Sequence, residues 1–150
     1  MAYWLLKSEP KAYSVDNLKL EKVGMWDGVR NYQARNFMKD MKKGDKVLFY
    51  HSRCELIGIA GRAEVAREAH PDPTQFEKGN HHYDPKSTTE NPRWVAVDIK
   101  FKQKLRDVLT LSVLKNDPFF QDMRLTQRGS RLSVQPVLKK HYERILKLSV

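Results

Sequence analysis

The stretch KGDKVLFYHSRCELIGIAGRAEV, residues 43–65, carries the pattern that decides the fold. The Lys-Gly-Asp at its start is typical of a turn, and the aromatic and aliphatic residues of 46–51 predict a well-buried strand. A second strand is expected over 56–65. Gly58 and Gly61 interrupt it, and glycines inside a strand pattern indicate bulges or bends that curl a small sheet towards closure.

Outside this stretch, short strand patterns alternate with short helix patterns. Strands are expected over 2–6 and 94–101, and helices over 15–20 capped by Ser14, over 32–41 capped by Asn31, over 109–114, and from Pro136 to the end. Residues 70–92 hold four prolines among polar residues, which predicts a long, mobile surface loop. The pattern indicates an α+β fold on a curved, mostly antiparallel sheet.

Length and composition fit a single domain over residues 1–150. Hydrophobic residues make up 40% and charged residues 31%, and the mean hydropathy of -0.68 excludes disordered and membrane-spanning classes. The first apolar run is too short for a signal peptide. Cys54 is the sole cysteine, which excludes an internal disulfide and a multi-cysteine zinc site. We therefore expect a cytoplasmic protein in a reducing compartment, with no membrane association.

The charge balance indicates a polyanionic partner. The chain has 28 lysines and arginines against 18 aspartates and glutamates, a net charge of +10 and a pI near 9.7. The basic excess lies at the two ends of the chain rather than in its middle third. Such a surface attracts nucleic acid. The alternative is that the charge only aids solubility.

The segment WDGVRNYQARN, residues 26–36, concentrates residue types that bind nucleotides. A helix that begins after Asn31 presents free N–H groups and a positive dipole end, and Arg30 and Arg35 add bidentate donors for a phosphate. Trp26 lies in a glycine-flanked, loop-like stretch, so we expect it outside the core and available for stacking. The alternative is structural, with Asn31 only a cap and Trp26 in the core.

Two further groups of polar residues suit the same chemistry. RGSRLS, residues 128–133, combines two arginines and two serines around a glycine, which suits a phosphate, although a solvated turn with a capping serine fits equally well. The ends of two expected strands supply polar groups that could read a base edge beside the ring of Trp26. These strand-end residues are Lys7, Ser8, Tyr50, His51 and Ser52.

Catalytic and metal-binding patterns are weaker. His51 and Ser52 are neighbours on a strand and point to opposite faces, so they do not pair as base and nucleophile. His81, His82 and Asp84 resemble a metal cluster, but they lie in a polar loop without further ligands at the required spacing. The sequence has no glycine motif for nucleotide binding. We expect no metal, no cofactor and no catalytic residue.

Four ordered motifs resemble the EVE domain family: YWLLKSEP (3–10), WDGVRNYQARN (26–36), GDKVLFYHS (44–52) and RGSRLSVQP (128–136). The resemblance covers nearly the whole chain. The family belongs to the PUA-like superfamily, so the resemblance implies a curved, mixed, mostly antiparallel β pseudobarrel with flanking short helices. It also implies non-enzymatic recognition of a modified base, above all modified cytosine in DNA. A related domain, YTH, reads methylated adenine in RNA.

The resemblance implies roles for individual residues. Trp26 would form the aromatic wall of a base pocket and Asn31 would approach the base edge. The strand ends would line the pocket, through Lys7, Ser8, Tyr50, His51 and Ser52. Phosphate contacts would come from Arg30, Arg35, Arg128, Ser130 and Arg131. The implied partner is nucleic acid with a modified base, bound by a monomer without an obligate protein partner. The alternatives are an RNA-binding accessory of tRNA or rRNA processing and a hydrolase of a modified nucleoside or nucleotide.

Overall fold

The computed structural model describes residues 1–129 and 131–149. The strands are β1 (Tyr3–Ser8), β2 (Val23–Trp26), β3 (Lys46–His51), β4 (Gly58–Pro71), β5 (Val95–Thr110) and β6 (Val134–Val137). The α-helices are α1 (Val15–Glu21), α2 (Tyr32–Asp40), α3 (Leu111–Asn116) and α4 (Lys139–Leu148). Short 3₁₀ helices cover Pro73–Phe76, Pro118–Phe120 and Arg124–Thr126.

These strands form one mixed sheet in the order β2-β5-β4-β3-β1-β6. β1 and β3 pair in parallel, and the other neighbouring pairs are antiparallel. β2 and β6 form its two edges, so the sheet is open. The predicted α+β class with a mixed, mostly antiparallel sheet is confirmed.

The two glycines of β4 bend the sheet as the sequence predicts. The pairing of β4 with both of its neighbours skips Ala60, which is therefore a bulge residue. A Cβ atom on Gly58 would lie 2.2 Å from the carbonyl oxygen of Leu109, and one on Gly61 would lie 2.6 Å from that of Gln103. Only glycine allows the β5 backbone to approach so closely.

Hydrophobic residues cover both faces of the sheet. Because side chains alternate along a strand, Leu6 and Phe49 join a core that includes α1 and α2, whereas Leu5 and Leu48 join a second core that includes α3 and α4. We call these the inner face and the outer face. Lys7, Ser8, Tyr50 and His51, which lie within β1 and β3, are thereby assigned to one face or the other.

Side-chain caps begin α1 and α2 where the sequence predicts them. The Ser14 hydroxyl accepts a hydrogen bond from the backbone N–H of Asn17, whose side chain accepts one from the N–H of Ser14. Asn31 Oδ1 accepts from the N–H of Ala34 at 2.9 Å. The predicted cap of α2 is confirmed, and it fixes the direction in which this helix N-terminus points.

Two predicted helix boundaries are wrong. Pro136 does not begin the last helix but lies in β6, and α4 begins at Lys139. An edge strand tolerates proline because one side of its backbone needs no hydrogen-bond donor. The helix expected from residue 109 begins at Leu111, because β5 continues through Thr110.

The segment 70–92 lies largely at the surface, as the sequence predicts, but four buried polar side chains anchor it to the fold. β4 continues to Pro71, and Gln75 is fully buried. Gln75 Nε2 donates at 2.8 Å to the carbonyl oxygens of Asp72 and Trp94, and its Oε1 accepts from the hydroxyl of Ser87. Polar side chains that suggest a solvated loop therefore form hydrogen bonds with backbone groups inside the fold.

Candidate nucleic-acid interface

An open groove of about 420 Å³ lies between the start of α2 and the segment that precedes β6. Its lining residues are Asn31, Gln33, Arg124, Gln127, Arg128, Gly129, Arg131 and Leu132. Three arginines give it positive charge, and three side-chain amides supply donors and acceptors. The groove brings together three predicted ligand-binding residues from opposite ends of the chain, namely Asn31, Arg128 and Arg131.

The arginines of the groove are accessible. Arg128 and Arg131 are exposed, and neither forms an ion pair or a hydrogen bond with residues 1–129 or 131–149. Arg124 packs its guanidinium carbon 5.4 Å from the ring centre of Phe37. Gly129 has a φ of +77°, a left-handed turn that favours glycine. Cationic groups therefore line the groove without acidic partners in the described chain.

Ser130, the remaining predicted phosphate ligand of this turn, lies outside the described residues. The N-terminus of α2 adds to the positive potential of the groove. Its first N–H groups point towards the cap residue Asn31, and the helix dipole places partial positive charge at this end.

Arg30 lies in a different environment, a network that we call the clamp and define as Arg30, Asp72, Thr74 and His82. The guanidinium of Arg30 donates five hydrogen bonds of 2.8–3.0 Å, two to the His82 carbonyl oxygen and one each to the Val29 carbonyl, Asp72 Oδ2 and Thr74 Oγ1. An arginine has five N–H donors in all. Arg30 therefore has no donor left for a phosphate.

Asp72 is the fully buried anion of the clamp. It accepts hydrogen bonds from the N–H of Gly28 at 2.7 Å and from the N–H and hydroxyl of Thr74 at 2.8 and 2.6 Å. Burial alone would raise the pKa of Asp72, but the hydrogen bonds from Thr74, Gly28 and Arg30 outweigh burial and lower it. The clamp therefore holds an ionised carboxylate inside the protein.

The clamp also requires glycine at position 28. Gly28 has a φ of +78°, and a Cβ atom there would lie 2.6 Å from Cε1 of the His82 ring. The ring of His82 thus covers the backbone of the motif. Burial lowers the pKa of His82, and repulsion from His81 and Arg30 lowers it further. His82 is therefore neutral at pH 7.

The strand-end residues meet in space but divide between the two faces of the sheet. Parallel pairing sets Lys7 beside Tyr50 and Ser8 beside His51, and the N–H of Ser52 donates to the Ser8 carbonyl at 3.0 Å. Tyr50 belongs to the outer core, so Lys7 and Tyr50 face away from the inner face. Ser8 and His51 face the inner side of the sheet, so the predicted pocket residues of β1 and β3 are split between its two faces.

Lys7 and Tyr50 form a pair on the outer face. The Lys7 ammonium lies 5.5 Å from the centre of the Tyr50 ring. Burial lowers the pKa of Lys7 and raises the pKa of Tyr50 to about 12. This pair packs against the outer core. It therefore lies on the opposite side of the sheet from Trp26, which belongs to the inner core.

His51 lies on the inner face, at the start of α1. Its Nε2 accepts a hydrogen bond from the N–H of Val15 at 3.1 Å, and its ring lies edge-on to Phe49 with centroids 5.6 Å apart. Burial lowers the pKa of His51, which favours the neutral ring. Because Nε2 accepts a hydrogen bond, the proton of the neutral ring is on Nδ1. That N–H has no acceptor among the described residues and is available as a donor.

Trp26 ends strand β2 and is 7% exposed, so its expected position in a loop outside the core is wrong. Its ring makes edge-to-face contacts with Phe49 at 5.3 Å and with Tyr13 at 6.1 Å between centroids. β2 has only four residues, which is too short for its alternating pattern to be recognised beside two glycines. The structure favours the core alternative for this residue.

Arg35 and the histidine-rich segment have internal partners. Arg35 donates to the carbonyl oxygen of Arg93 at 3.0 Å and to the side chain of Asn36.

The rings of His81 and His82 lie 3.8 Å apart, while the Asp84 carboxylate accepts from the Trp94 indole at 2.8 Å. Across residues 1–129 and 131–149, no three His, Cys, Asp or Glu side chains are positioned to share a metal ion.

Three residues of the groove are not among the predicted site residues, namely Gln33, Arg124 and Gln127. Arg124 begins the 3₁₀ helix just before RGSRLS, and Gln127 is its C-cap residue. The arginines at 124, 128 and 131 recur at intervals of four and three residues in the sequence, although the 3₁₀ helix itself ends at Thr126. That spacing is the signal that could have extended the predicted basic patch.

An open mixed sheet flanked by short helices defines a PUA-like fold, and this one has a basic groove at the N-terminus of α2. The family model described as EVE domain matches residues 2–148, and the chain belongs to the EVE domain family. Thymocyte nuclear protein 1 of Homo sapiens is 40% identical over 98% of this chain and 73% of its own length. Human THYN1 solved in complex with 5-methylcytosine-containing DNA has a TM-score of 0.91 at 40% identity and covers 99% of this chain and 98% of that one.

Other solved structures support the same fold. A protein from Pseudomonas syringae has a TM-score of 0.96 at 46% identity, over 99% of this chain and 100% of that one. The YTH domain of the Zygosaccharomyces rouxii MRB1 protein, solved with N6-methyladenosine RNA, has a TM-score of 0.57 at 14% identity, over 98% of this chain and 85% of that one. The predicted PUA-like fold is confirmed. Within the described chain, the helices are too short or too polar to cross a membrane.

Proposed function

We propose that this chain binds DNA that carries 5-methylcytosine, or a similarly modified cytosine, and releases it chemically unchanged. The ligand class is that of human THYN1, which has been solved with such DNA. The observation that carries the proposal is the groove beside α2, where Arg128 and Arg131 have no acidic partner in the described chain. Unpaired guanidinium groups suit a DNA backbone, because each can donate two hydrogen bonds to one phosphate.

The remainder of the groove suits the neutral parts of a nucleotide. Asn31, Gln33 and Gln127 present amides, which can donate to and accept from sugar and base edges. The start of α2 adds partial positive charge without adding a mobile side chain. A nucleic-acid strand in this groove would place its phosphates against the arginines and its sugars and bases against the amides.

We assign the modified base to the inner face at the ends of β1 and β3. Ser8 and His51 lie on this face with Trp26, and the free Nδ1–H of His51 can donate to a ring nitrogen or carbonyl oxygen of cytosine. Because Trp26 is almost fully buried, its role in this proposal is the floor of the site and not an exposed stacking wall. Lys7 and Tyr50 support the strand ends from the outer face.

The proposal assigns no catalytic step. The charged groups of the groove are arginines, which stay protonated and do not act as general bases. His51 accepts a backbone hydrogen bond through Nε2, so this nitrogen is not free to act as a base. The hydrolase alternative would therefore need a nucleophile from elsewhere.

Matched oligonucleotides that differ at one position test the proposal. Binding is measured by fluorescence anisotropy with 5-methylcytosine, cytosine or thymine at that position, as DNA and as RNA. We expect the tightest binding to DNA with 5-methylcytosine and, by mass spectrometry, recovery of the oligonucleotide unchanged. Equal affinity for cytosine and 5-methylcytosine overturns the proposal. Preference for RNA supports the accessory function instead, and any released product supports the hydrolase.

The salt dependence of the same binding tests the groove. On a single strand the log–log slope is about -0.7 for each phosphate neutralised, so three groove arginines predict a slope of about -2. The double variant Arg128→Ala/Arg131→Ala should leave a slope of about -0.7. Lys102→Ala/Lys104→Ala removes the same charge from lysines paired with Glu64 and Asp16 and is the control. An equal change in both double variants would show that net charge, and not the groove, governs binding.

A further inference from the structure

Tyr32, the first residue of α2, lies at the centre of a stack of rings and guanidinium groups. The rings of Tyr32 and Trp94 are stacked with centroids 4.8 Å apart and an interplanar angle of 25°. The guanidinium carbon of Arg35 lies 4.8 Å from the centre of the Tyr32 ring, and that of Arg30 lies 5.4 Å from the Trp94 ring. We call Tyr32, Trp94 and Arg35 the ledge.

The inner parts of the ledge are fixed by buried contacts. Trp94 is buried, and its indole N–H donates to Asp84 at 2.8 Å. Arg35 is held by the carbonyl oxygen of Arg93. Tyr32 itself is 52% exposed, and its hydroxyl makes no hydrogen bond to residues 1–129 or 131–149. The ring of Tyr32 is thus held in one orientation by stacking while about half of the residue faces solvent.

The ledge adjoins the groove through the start of α2, although its own three residues are not among those that line the groove. Tyr32 lies between Asn31 and Gln33, both of which line the groove, and consecutive Cα atoms are about 3.8 Å apart. A polynucleotide strand in the groove would therefore bring a neighbouring nucleotide to the ring. Exposed aromatic rings beside unpaired arginines are the combination that binds single strands, because bases stack on the ring while cations hold the phosphates.

We propose that the ledge is a second nucleotide subsite, in which the base next to the modified one stacks on the Arg35 guanidinium plane that the Tyr32 ring supports. The inference rests on the proposed function, because it takes the strand in the groove as its ligand. Stacking on a ring or a guanidinium plane tolerates every base. The subsite therefore contributes affinity without choosing a sequence and without sensing the modification.

Substitution of Tyr32, combined with removal of single bases, tests the subsite. Tyr32→Leu keeps an apolar side chain over Trp94 but removes the aromatic ring, and Tyr32→Phe keeps the ring. We expect Tyr32→Leu to weaken binding of 5-methylcytosine DNA about 5- to 150-fold and Tyr32→Phe to bind like the wild type. The preference for 5-methylcytosine over cytosine should be unchanged. With an abasic nucleotide next to the modified base, wild type and Tyr32→Leu should bind equally.

Phe119→Leu is the matched control. Phe119 is 38% exposed and also lies under an arginine, Arg144, at 5.1 Å, but it belongs to the 3₁₀ segment beside α4 on the outer face. It should leave binding unchanged. Wild-type binding by a Tyr32→Leu protein with a native melting temperature overturns the subsite. So does an equal loss on the intact and abasic strands, which would assign Tyr32 to packing alone.

The two proposals fail in different ways. If the wild type does not prefer 5-methylcytosine, the proposed function is wrong, while a base-dependent effect of Tyr32→Leu on cytosine DNA still supports the subsite. If the preference is present and Tyr32→Leu has no effect, only the subsite is wrong. Failure of the wild type to bind any of the oligonucleotides overturns both.

Discussion

The motif of residues 26–36 crosses from one environment into another between Arg30 and Asn31. On one side, the clamp encloses Arg30 with the buried carboxylate of Asp72 and uses its five donors. On the other side, Asn31 opens onto a groove in which Arg128 and Arg131 have no acidic partner in the described chain. Identical guanidinium groups thus hold the fold together in one region and remain available to a ligand in the other.

This contrast shows what decides the role of an arginine. A guanidinium whose donors are all satisfied by a buried acid and by carbonyl oxygens contributes rigidity, and removing it leaves an uncompensated charge. A guanidinium without a partner contributes little to stability and can exchange water for phosphate oxygens. Substitutions in the two regions should therefore change different observables, namely melting temperature in the clamp and salt-dependent affinity in the groove.

The largest expected effect is that of Trp26→Ala on stability. Loss of a buried tryptophan side chain costs about 3–5 kcal/mol of unfolding free energy, or roughly 6–20 °C in melting temperature for a chain of this size. This effect replaces the expectation from sequence that Trp26 lies outside the core. Thermal unfolding followed by circular dichroism measures it, with Trp26→Phe as a milder control that retains a ring. A melting temperature within about 2 °C of wild type would contradict the buried position.

Arg30→Ala should have the next largest effect. It leaves the fully buried Asp72 without its cation, which costs about 3 kcal/mol, or roughly 6–12 °C. Arg30→Ala/Asp72→Asn should recover part of the loss, because the unpaired charge is gone. Arg30→Lys keeps the charge but loses the five-donor fork.

The same variant separates the two environments of the motif. Arg30→Ala should leave the salt slope of DNA binding unchanged when measured below its melting temperature, because Arg30 has no donor left for a phosphate. Arg131→Ala should do the reverse and make the slope shallower by about 0.7 with little change in melting temperature. A shallower slope with native stability for Arg30→Ala would place Arg30 at the phosphate, as the motif resemblance implies.

Local sequence patterns predicted much of the fold. Lys46–His51 is a strand with the predicted bounds, both helix caps are as predicted, and Gly58 and Gly61 mark the bend in β4. These features depend on neighbouring residues or on the absence of a side chain. The four motifs also identified the family, which specifies the remaining topology.

The candidate site was only partly predictable, because its roles depend on distant partners. Nothing near Arg30 in sequence reveals Asp72, 42 residues away, as its counterion. Lys7 and Ser8 are adjacent in sequence, but Lys7 lies on the outer face of the sheet and Ser8 on the inner face. Which core each face meets depends on how the helices pack against the sheet. Arg128 and Arg131 were recognised as a patch, whereas Gln33 became part of the groove through the packing of α2.

The smallest expected effect is on the pH dependence of the clamp. The pKa of His82 is lowered from its ordinary value of 6.5 by burial and by repulsion from His81 and Arg30. The unfolded chain therefore binds a proton at His82 more readily than the folded protein does. The stability that depends on neutral His82 is fully present above about pH 6.5 and is lost as the pH falls through that value towards the lower pKa of the folded state.

We therefore expect the melting temperature of wild type to fall between pH 7.5 and pH 5.5, and to fall less for His82→Gln, which keeps the carbonyl that Arg30 uses. His51, whose pKa burial also lowers, contributes in the same direction, whereas Asp27, whose pKa burial raises, contributes in the opposite one. The His51 contribution is common to wild type and variant, whereas Asp27 interacts with His82, so the difference between the two proteins reports His82 together with its coupling to Asp27. Hydrogen exchange should show faster opening on acidification at the amides of Gly28 and Thr74, which bond to Asp72, than at those of the groove. Equal pH profiles for the two proteins, or acid-induced opening of the groove first, would mean that protonation of His82 does not weaken the clamp.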